Sequence, residues 1–298
     1  MKAAIVDIGS NTINLDLFSA DKGGQVTLDR SYSETVGLIG LIEDGKLSRT
    51  GIERLCETIQ HYQRISDSGY ALYCFATASL RRADNAKEVI DEIYQRTGAA
   101  IRRIGEQEEA LLSMRAVLYE IGPSQSGMML DMGGGSTEKV IFQNTDILLA
   151  RSMPFGSLSL YRQFVRQKIP SRQEANEIAQ YVKREFDDGV SSLSDTFYIV
   201  GGTGRALCKL HGRLHGRKSD GLYELNVEAM QELCEHLLAN DIGDDHDTEK
   251  LLTDILPKRK HNFLPGLIAL CAMAEQAGAK QAVFPTGNVR KGFLLSIL

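Results

Sequence analysis

Short apolar runs alternate with stretches of helical spacing along most of the chain. Residues 3–6, 15–18, 71–76 and 128–131 read as strands. Ile52, Leu55, Cys56, Ile59 and Tyr62 follow the i, i+3, i+4, i+7 rule behind the cap candidates Ser48 and Thr50, and Val89, Ile90, Ile93 and Tyr94 do so ahead of Gly98. Further helices are predicted over 172–186, 227–239 and 264–277 and from 289 to the end. The alternation predicts an α/β fold. The longest apolar stretch, residues 267–274, is far below the ~18 residues of a membrane span. The opening MKAAIVDIGS is broken by Asp7 before it reaches the length of a signal-peptide core. Neither export nor a membrane partner is expected.

The chain resembles itself. AAIVDIGSNTINLDLF and MMLDMGGGSTEKVIF both read apolar strand, aspartate, apolar residue, glycine-rich turn with hydroxyls, second strand. Asp7 and Asp131 are a domain length apart, so two related halves are predicted rather than a solenoid. The cluster GPSQSG at 122–127 is a natural boundary, placing the halves at 1–123 and 124–286 with a final helix over about 287–298.

These turns carry the candidate chemistry. Gly9, Ser10, Asn11 and Thr12 in the first, and Gly133, Gly134, Gly135, Ser136 and Thr137 in the second, can point backbone N–H groups and hydroxyls into one concavity, as phosphate nests do. An ordinary hairpin needs only one glycine. Asp7 and Asp131 at the bases of the turns can hold Mg²⁺ through water, although Asx-type capping would explain one of them. A third segment, FYIVGGTGRALCKL, runs a strand into Gly202, Thr203 and Gly204, but Leu207 stands where a dinucleotide fingerprint needs glycine. Residues 40–47, GLIEDGKL, miss the Walker A pattern, because Leu47 replaces the Mg²⁺-binding hydroxyl and Glu43 and Asp44 would repel phosphate.

Glu108 and Glu109 open a helix-forming segment and Glu138 closes the second turn. Carboxylates there suit the orientation and deprotonation of an attacking water, while acids in a first helical turn are also favoured by the macrodipole alone. Either Arg81 or Arg82 could reach a phosphate from the end of a strand. Gly212 and Gly216 weaken a helix carrying His211 and His215, which favours a basic loop over a metal site, and Asp244 to Asp247 lack EF-hand spacing.

Composition narrows the class. The 298 residues hold 34 Lys and Arg against 39 Asp and Glu, a formal net charge of −5, which excludes a general nucleic-acid coat. Five cysteines without C-x-x-C spacing argue against a disulfide framework or zinc ribbon and suit a reducing cytoplasm.

On IVDIGSNTINL, FATASLRRADN, GEQEEA, DMGGGSTE, SMPFG, VGGTGRAL and the P-x-R element at 257–259, the sequence resembles the exopolyphosphatase and guanosine-pentaphosphate phosphohydrolase family of the actin, Hsp70 and sugar-kinase superfamily. The resemblance spans nearly the whole chain, in the short form without an appended helical domain. It implies two actin-like, ribonuclease H-like domains whose glycine-rich turns face each other across a phosphate-binding cleft. It also implies a homodimer, Mg²⁺, and hydrolytic removal of a terminal phosphate from polyphosphate or guanosine pentaphosphate. It selects Glu109 over Glu108 as base and Arg81 for phosphate, places Glu138 at water or metal, and adds Gly202, Thr203 and Gly204 to the phosphate-binding residues. Asn14, His261 and Lys291 depart from the family's pattern, which leaves substrate choice open. The rival expectations are a phosphotransferase of the same superfamily and a regulator that binds guanosine tetra- or pentaphosphate without turnover.

Overall fold

The computed structural model describes residues 1–81, 83–187, 189, 194–218, 221–239 and 248–298. Arg82 and the acidic run at 244–247 lie outside them. Along the chain run β1 (Lys2–Ile8), β2 (Thr12–Ala20), β3 (Val26–Thr35), a 3₁₀ turn (Leu38–Leu41), β4 (Ile42–Glu43), β5 (Lys46–Leu47), α1 (Arg49–Ser66), β6 (Ala71–Ala76), α2 (Ala78–Arg81), α3 (Ala86–Thr97), β7 (Ile101–Arg103) and α4 (Glu106–Ile121). They continue as β8 (Ser126–Met132), β9 (Thr137–Gln143), β10 (Asp146–Met153), α5 (Ser157–Phe164), α6 (Arg172–Phe186), β11 (Thr196–Val200), α7 (Gly201–Leu214), β12 (Tyr223–Asn226), α8 (Val227–Ala239), α9 (Thr248–Ile255), α10 (Phe263–Ala277), β13 (Gln281–Phe284) and α11 (Val289–Ile297).

The chain divides into two compact units, Met1–Leu112 with Val289–Leu298, and Ser113–Asn288. The changeover falls inside α4, ahead of the glycine-rich segment at 122–127 where the sequence suggests a boundary. A continuous helix carries no turn signal, so composition cannot mark it.

The first unit holds a five-stranded sheet in the order β3-β2-β1-β6-β7, and the second a six-stranded sheet in the order β10-β9-β8-β11-β13-β12. Each begins with an antiparallel three-strand meander and continues with parallel strands on the other side of its first strand. The shared order is the ribonuclease H-like pattern of actin-like domains, and β12 is an addition to the second.

Alternation along each strand sorts the cores. In the first unit Ala4, Val6 and Ile8 pack against Ile52, Leu55 and Ile59 of α1 and Val89 and Ile93 of α3. Ala3, Ile5 and Phe18 face Leu112, Phe293 and Leu294 instead, so α11 closes the opposite side of this sheet. Asp7 and Asp16 share that second face by the same period of two. In the second unit Met128, Leu130 and Met132 join Leu267, Leu270 and Met273 of α10 and Ile178 and Val182 of α6 in one core. Local signals set the helix ends: Ser48 accepts from the Gly51 N–H, Ser171 and Glu174 form a reciprocal capping box, and Gly98 ends α3 in the left-handed region. Residues 42–47 form a tiny hairpin with positive φ at Asp44 and Gly45, not a phosphate loop.

One expectation is corrected. Residues 205–214 are helical, and His211 lies within α7 with His215 at its C-cap. Burial of Leu207, Cys208 and Leu210 outweighs the modest helix cost of Gly212, and Gly216 turns the chain only afterwards.

Candidate active site

In the first unit, register brings three strand ends to one edge. Ile8 lies beside Ala76, and Ala76 beside Arg103. The turn at 9–12, helix α2 with Arg81 and the start of α4 with Glu109 therefore leave the sheet on the same side, the carboxyl ends of parallel strands where α/β proteins bind ligands. Ser79 ties α2 to the turn by donating to the Ile8 carbonyl at 3.1 Å. Arg81 Nη1 donates to Glu109 Oε2 and reaches the Ile104 carbonyl at 3.4 Å. Glu108 instead meets the exposed Arg102 at 2.5 Å. Glu109 is the more enclosed of the two, with its side chain 12% exposed against 33%, so the geometry separates a held carboxylate from a surface one.

Both glycine-rich turns are built alike. Gly9 N–H donates to the Thr12 carbonyl at 3.1 Å, and Gly133 N–H to the Ser136 carbonyl at 3.0 Å. In each unit the segment after the third strand then grips the turn from behind. Val36 and Gly37 donate to the Asn11 carbonyl and Ile39 to that of Ser10, while Ser157 donates to the Gly133 carbonyl and Leu158 and Ser159 to that of Gly134. With these carbonyls engaged, the N–H groups of Ser10, Asn11, Gly134 and Ser136 make no hydrogen bond among the described residues. They form an anion-seeking edge on each turn. Close approach behind the second turn requires Gly156, because a Cβ there would lie 2.7 Å from Gly133 O, Gly134 C and Gly135 N.

The acids differ between the two turns. Asp131 stands directly opposite Glu138 across β8 and β9, a spacing that puts both carboxylates on one sheet face. Ser113 donates to Asp131 Oδ2 at 2.6 Å and Ser152 to Glu138 Oε1 at 3.1 Å. The position opposite Asp7 is Asn14, which donates to Thr12 Oγ1 at 3.3 Å. Asp7 Oδ2 accepts from Arg290 Nη1 at 3.1 Å, and Arg290 Nε donates to Asp16 Oδ2 at 2.6 Å, all three residues buried. Burial pulls the Arg290 pKa down, but Asp16 and Asp7 more than reverse this and raise it. No group of three or more His, Cys, Asp or Glu among the described residues is placed to hold a metal. The Asp131 and Glu138 pair does fit a hard ion that keeps most of its water and takes only one or two carboxylates.

Other sequence candidates fall into place around the second turn. The Thr137 hydroxyl donates to the Phe155 carbonyl at 2.8 Å and secures the strand end rather than the turn. Gly201 pairs beside Met132 with φ +90, and a Cβ there would meet Met132 O at 2.6 Å and Asp131 Oδ1 at 2.8 Å. Gly202, Thr203 and Gly204 form the first turn of α7; Thr203 is fully buried toward Gly266, with no hydrogen bond to its hydroxyl among the described residues. Sequence reasoning missed Arg259 as a site residue. Its guanidinium occupies the space beside Gly202 that a side chain there would fill, and desolvation, helped by Arg205, pushes its pKa down to about 10. It also missed the Asp16–Arg290 pair, although an aspartate inside the apolar run LDLF signals a buried partner.

A family model described as the Ppx/GppA phosphatase family matches residues 36–298, and the chain belongs to that family. It is 29% identical over 221 residues to exopolyphosphatase 1 of Mycobacterium tuberculosis, a match over 71% of this chain and 64% of that protein. With the guanosine-5'-triphosphate,3'-diphosphate pyrophosphatase of Pseudoalteromonas translucida it shares 24% over 298 residues, or 99% of this chain and 59% of that one. The chain thus spans somewhat under two thirds of these relatives. Among solved structures, the Ppx/GppA family member of Aquifex aeolicus aligns at TM-score 0.83 and 21% identity, covering 100% of this chain and 97% of that one. An exopolyphosphatase from Cytophaga hutchinsonii aligns at TM-score 0.87 and 18% identity with the same coverage. The fold is theirs: two α/β, actin-like domains.

Proposed function

We propose that the protein is a Mg²⁺-dependent hydrolase that removes the terminal phosphate from inorganic polyphosphate or guanosine pentaphosphate. The observation that carries this is the held Arg81–Glu109 pair at the same sheet edge as a turn whose Ser10 and Asn11 N–H groups make no hydrogen bond among the described residues. The family and the names of two relatives support the reaction class. Water attacks the terminal phosphorus, its proton passes to Glu109, and the shortened chain leaves with the bridging oxygen. Arg81 and the N–H edges of the turns at 9–12 and 133–136 bind phosphoryl oxygens, as donors fixed before the reaction do most effectively. Asp131 and Glu138 would hold Mg²⁺, which would supply charge neutralisation there. Arg259 adds a further cation to the phosphate-binding set. In the first turn Asp7 acts through its pairing with Arg290, which anchors β1 to α11. A reducing cytoplasm suits the free cysteines.

Phosphate release is measured with Mg²⁺ on polyphosphate, guanosine pentaphosphate and ATP, beside Glu109→Gln. Release from the first or second substrate, lost in the variant, is the expected result. Tight binding without release would instead favour a nucleotide-binding regulator, and release only with an acceptor alcohol a phosphotransferase.

A further inference from the structure

At the end of the first sheet opposite the Arg81–Glu109 edge, strand pairing gathers a second set of polar side chains. Ala4, Leu17 and Arg30 lie side by side across β1, β2 and β3, and Val6, Leu15 and Tyr32 form the next row on the same face. Lys2 extends that face at the start of β1. Ile65 in the last turn of α1 and Tyr70 just ahead of β6 pack against the same core. Together they enclose a cavity of about 520 Å³, with Leu17 and Ile65 as its apolar floor, Tyr32 and Tyr70 as aromatic walls, and Lys2 and Arg30 at the rim. Pockets for small organic ligands run from roughly 300 to 1,000 Å³.

The walls are held in place. Asp29 is the extra residue where the β2–β3 register shifts, and such a bulge re-aims a side chain. Its carboxylate accepts from the Tyr70 hydroxyl at 3.0 Å and from Ser19 at 2.9 Å, so both oxygens are engaged. Lys2 Nζ lies over the Tyr70 ring, 5.3 Å from its centroid. Tyr32 stands close enough to the Arg30 guanidinium to raise its pKa. Neither Lys2 nor Arg30 forms an ion pair with a carboxylate among the described residues. Surface cations alone are commonplace; these two rim a cavity with aromatic walls and lack a counter-charge.

We propose that this cavity binds a nucleoside monophosphate, the base stacking on the tyrosine rings and the phosphate meeting Lys2 and Arg30. Two cations balance a phosphate monoester, whose charge is about −1.5 to −2 at neutral pH. Aromatic faces accept any base, because every base has a π-face. A bare phosphate would leave the tyrosines and the Leu17–Ile65 floor unused, and a neutral aromatic molecule would leave the cations without a partner. Lys2 and Ile8 stand at opposite ends of β1, about 20 Å apart, so this site is separate from the candidate active site. The inference goes beyond the proposed function and does not rest on it.

The test is calorimetric titration of adenosine monophosphate, guanosine monophosphate, ribose phosphate and inorganic phosphate into wild type, Lys2→Gln/Arg30→Gln, Tyr32→Leu and Arg81→Gln. Both nucleotides are expected to saturate wild type and to bind at least about fivefold tighter than ribose phosphate, the contribution of stacking. Lys2→Gln/Arg30→Gln weakens them at least about tenfold through loss of charge-assisted contacts. Tyr32→Leu brings them toward the affinity of ribose phosphate, and Arg81→Gln leaves their binding unchanged. Lys2 and Arg30 are exposed, so the fold survives their replacement, as thermal melts verify. No saturable binding up to millimolar concentration, or equal binding by wild type and the double variant, would overturn the inference. Equal affinity for ribose phosphate or inorganic phosphate would overturn the assignment of the occupant. A loss in Arg81→Gln as large as in the double variant would put the nucleotide at the Glu109 edge and overturn the separate site. The titration needs no turnover, so failure of the hydrolase reading leaves its outcome intact.

Discussion

Replacing Arg290 with methionine removes a cation that bridges two buried carboxylates of the first sheet. In the folded protein Nε lies 2.6 Å from Asp16 Oδ2 and Nη1 lies 3.1 Å from Asp7 Oδ2, with Asp16 only 1% exposed. Methionine keeps much of the aliphatic stem, so packing against β1 changes little and the loss is chiefly electrostatic. Breaking such a pair from one side leaves uncompensated charge away from water and costs about 3–5 kcal/mol. At about 3–5 °C per kcal/mol for a unit near this size, the melting temperature of the first unit falls by about 10–25 °C. Circular-dichroism melts of wild type, Arg290→Met and Arg290→Met/Asp16→Asn measure it. Removing the Asp16 charge in the variant background relieves part of the penalty, so the double variant melts above the single one. An Arg290→Met melt within about 2 °C of wild type, or a double variant less stable than the single, would refute the reasoning.

Gly156→Ala forces a Cβ into the backbone of the second turn at 2.7 Å, so it shifts the 133–136 N–H edge; KM for polyphosphate rises and stability drops by about 1–3 kcal/mol, read by kinetics and melts. Burial, then His215 and Arg217, hold the His211 pKa below its ordinary 6.5. The unfolded chain therefore takes up a proton first, and stability is lost as pH falls from above 6.5 toward the lower folded value; His211→Gln flattens that part of the stability–pH curve in urea titrations. Burial pushes the Cys74 and Cys208 thiols up to about 12, so both resist iodoacetamide at pH 8 in the folded protein and label once urea unfolds it, as peptide mass spectrometry will register.

Much of this architecture is written in local signals. The period-two runs locate β1 and β8, and the amphipathic run after Ser171 locates α6 at 172–186 as observed. The repeated aspartate-glycine element marks equivalent positions in two sheets of the same strand order. What a linear reading lacks is anything set by distant packing. Arg290 and Asp16 are far apart along the chain, and only the choice of sheet face brings them together. Arg259 looks like one of three surface cations until Gly202 gives its guanidinium a seat. The helix through His211 defeats a propensity argument because three buried side chains of α7 outweigh one glycine. The changeover between units lies within α4, where the helical pattern continues unbroken and only membership of different cores distinguishes Leu112 from Ser113.

The most direct test of the account is phosphate release from polyphosphate and guanosine pentaphosphate by wild type and Glu109→Gln, with Mg²⁺ and after its removal by chelation. Wild type is predicted to release phosphate only when Mg²⁺ is present. Glu109→Gln is predicted to be at least about 100-fold slower while still binding polyphosphate, the loss of a positioned general base. A glutamine variant that turns over at the wild-type rate, or a wild type that releases no phosphate from either substrate, would contradict it.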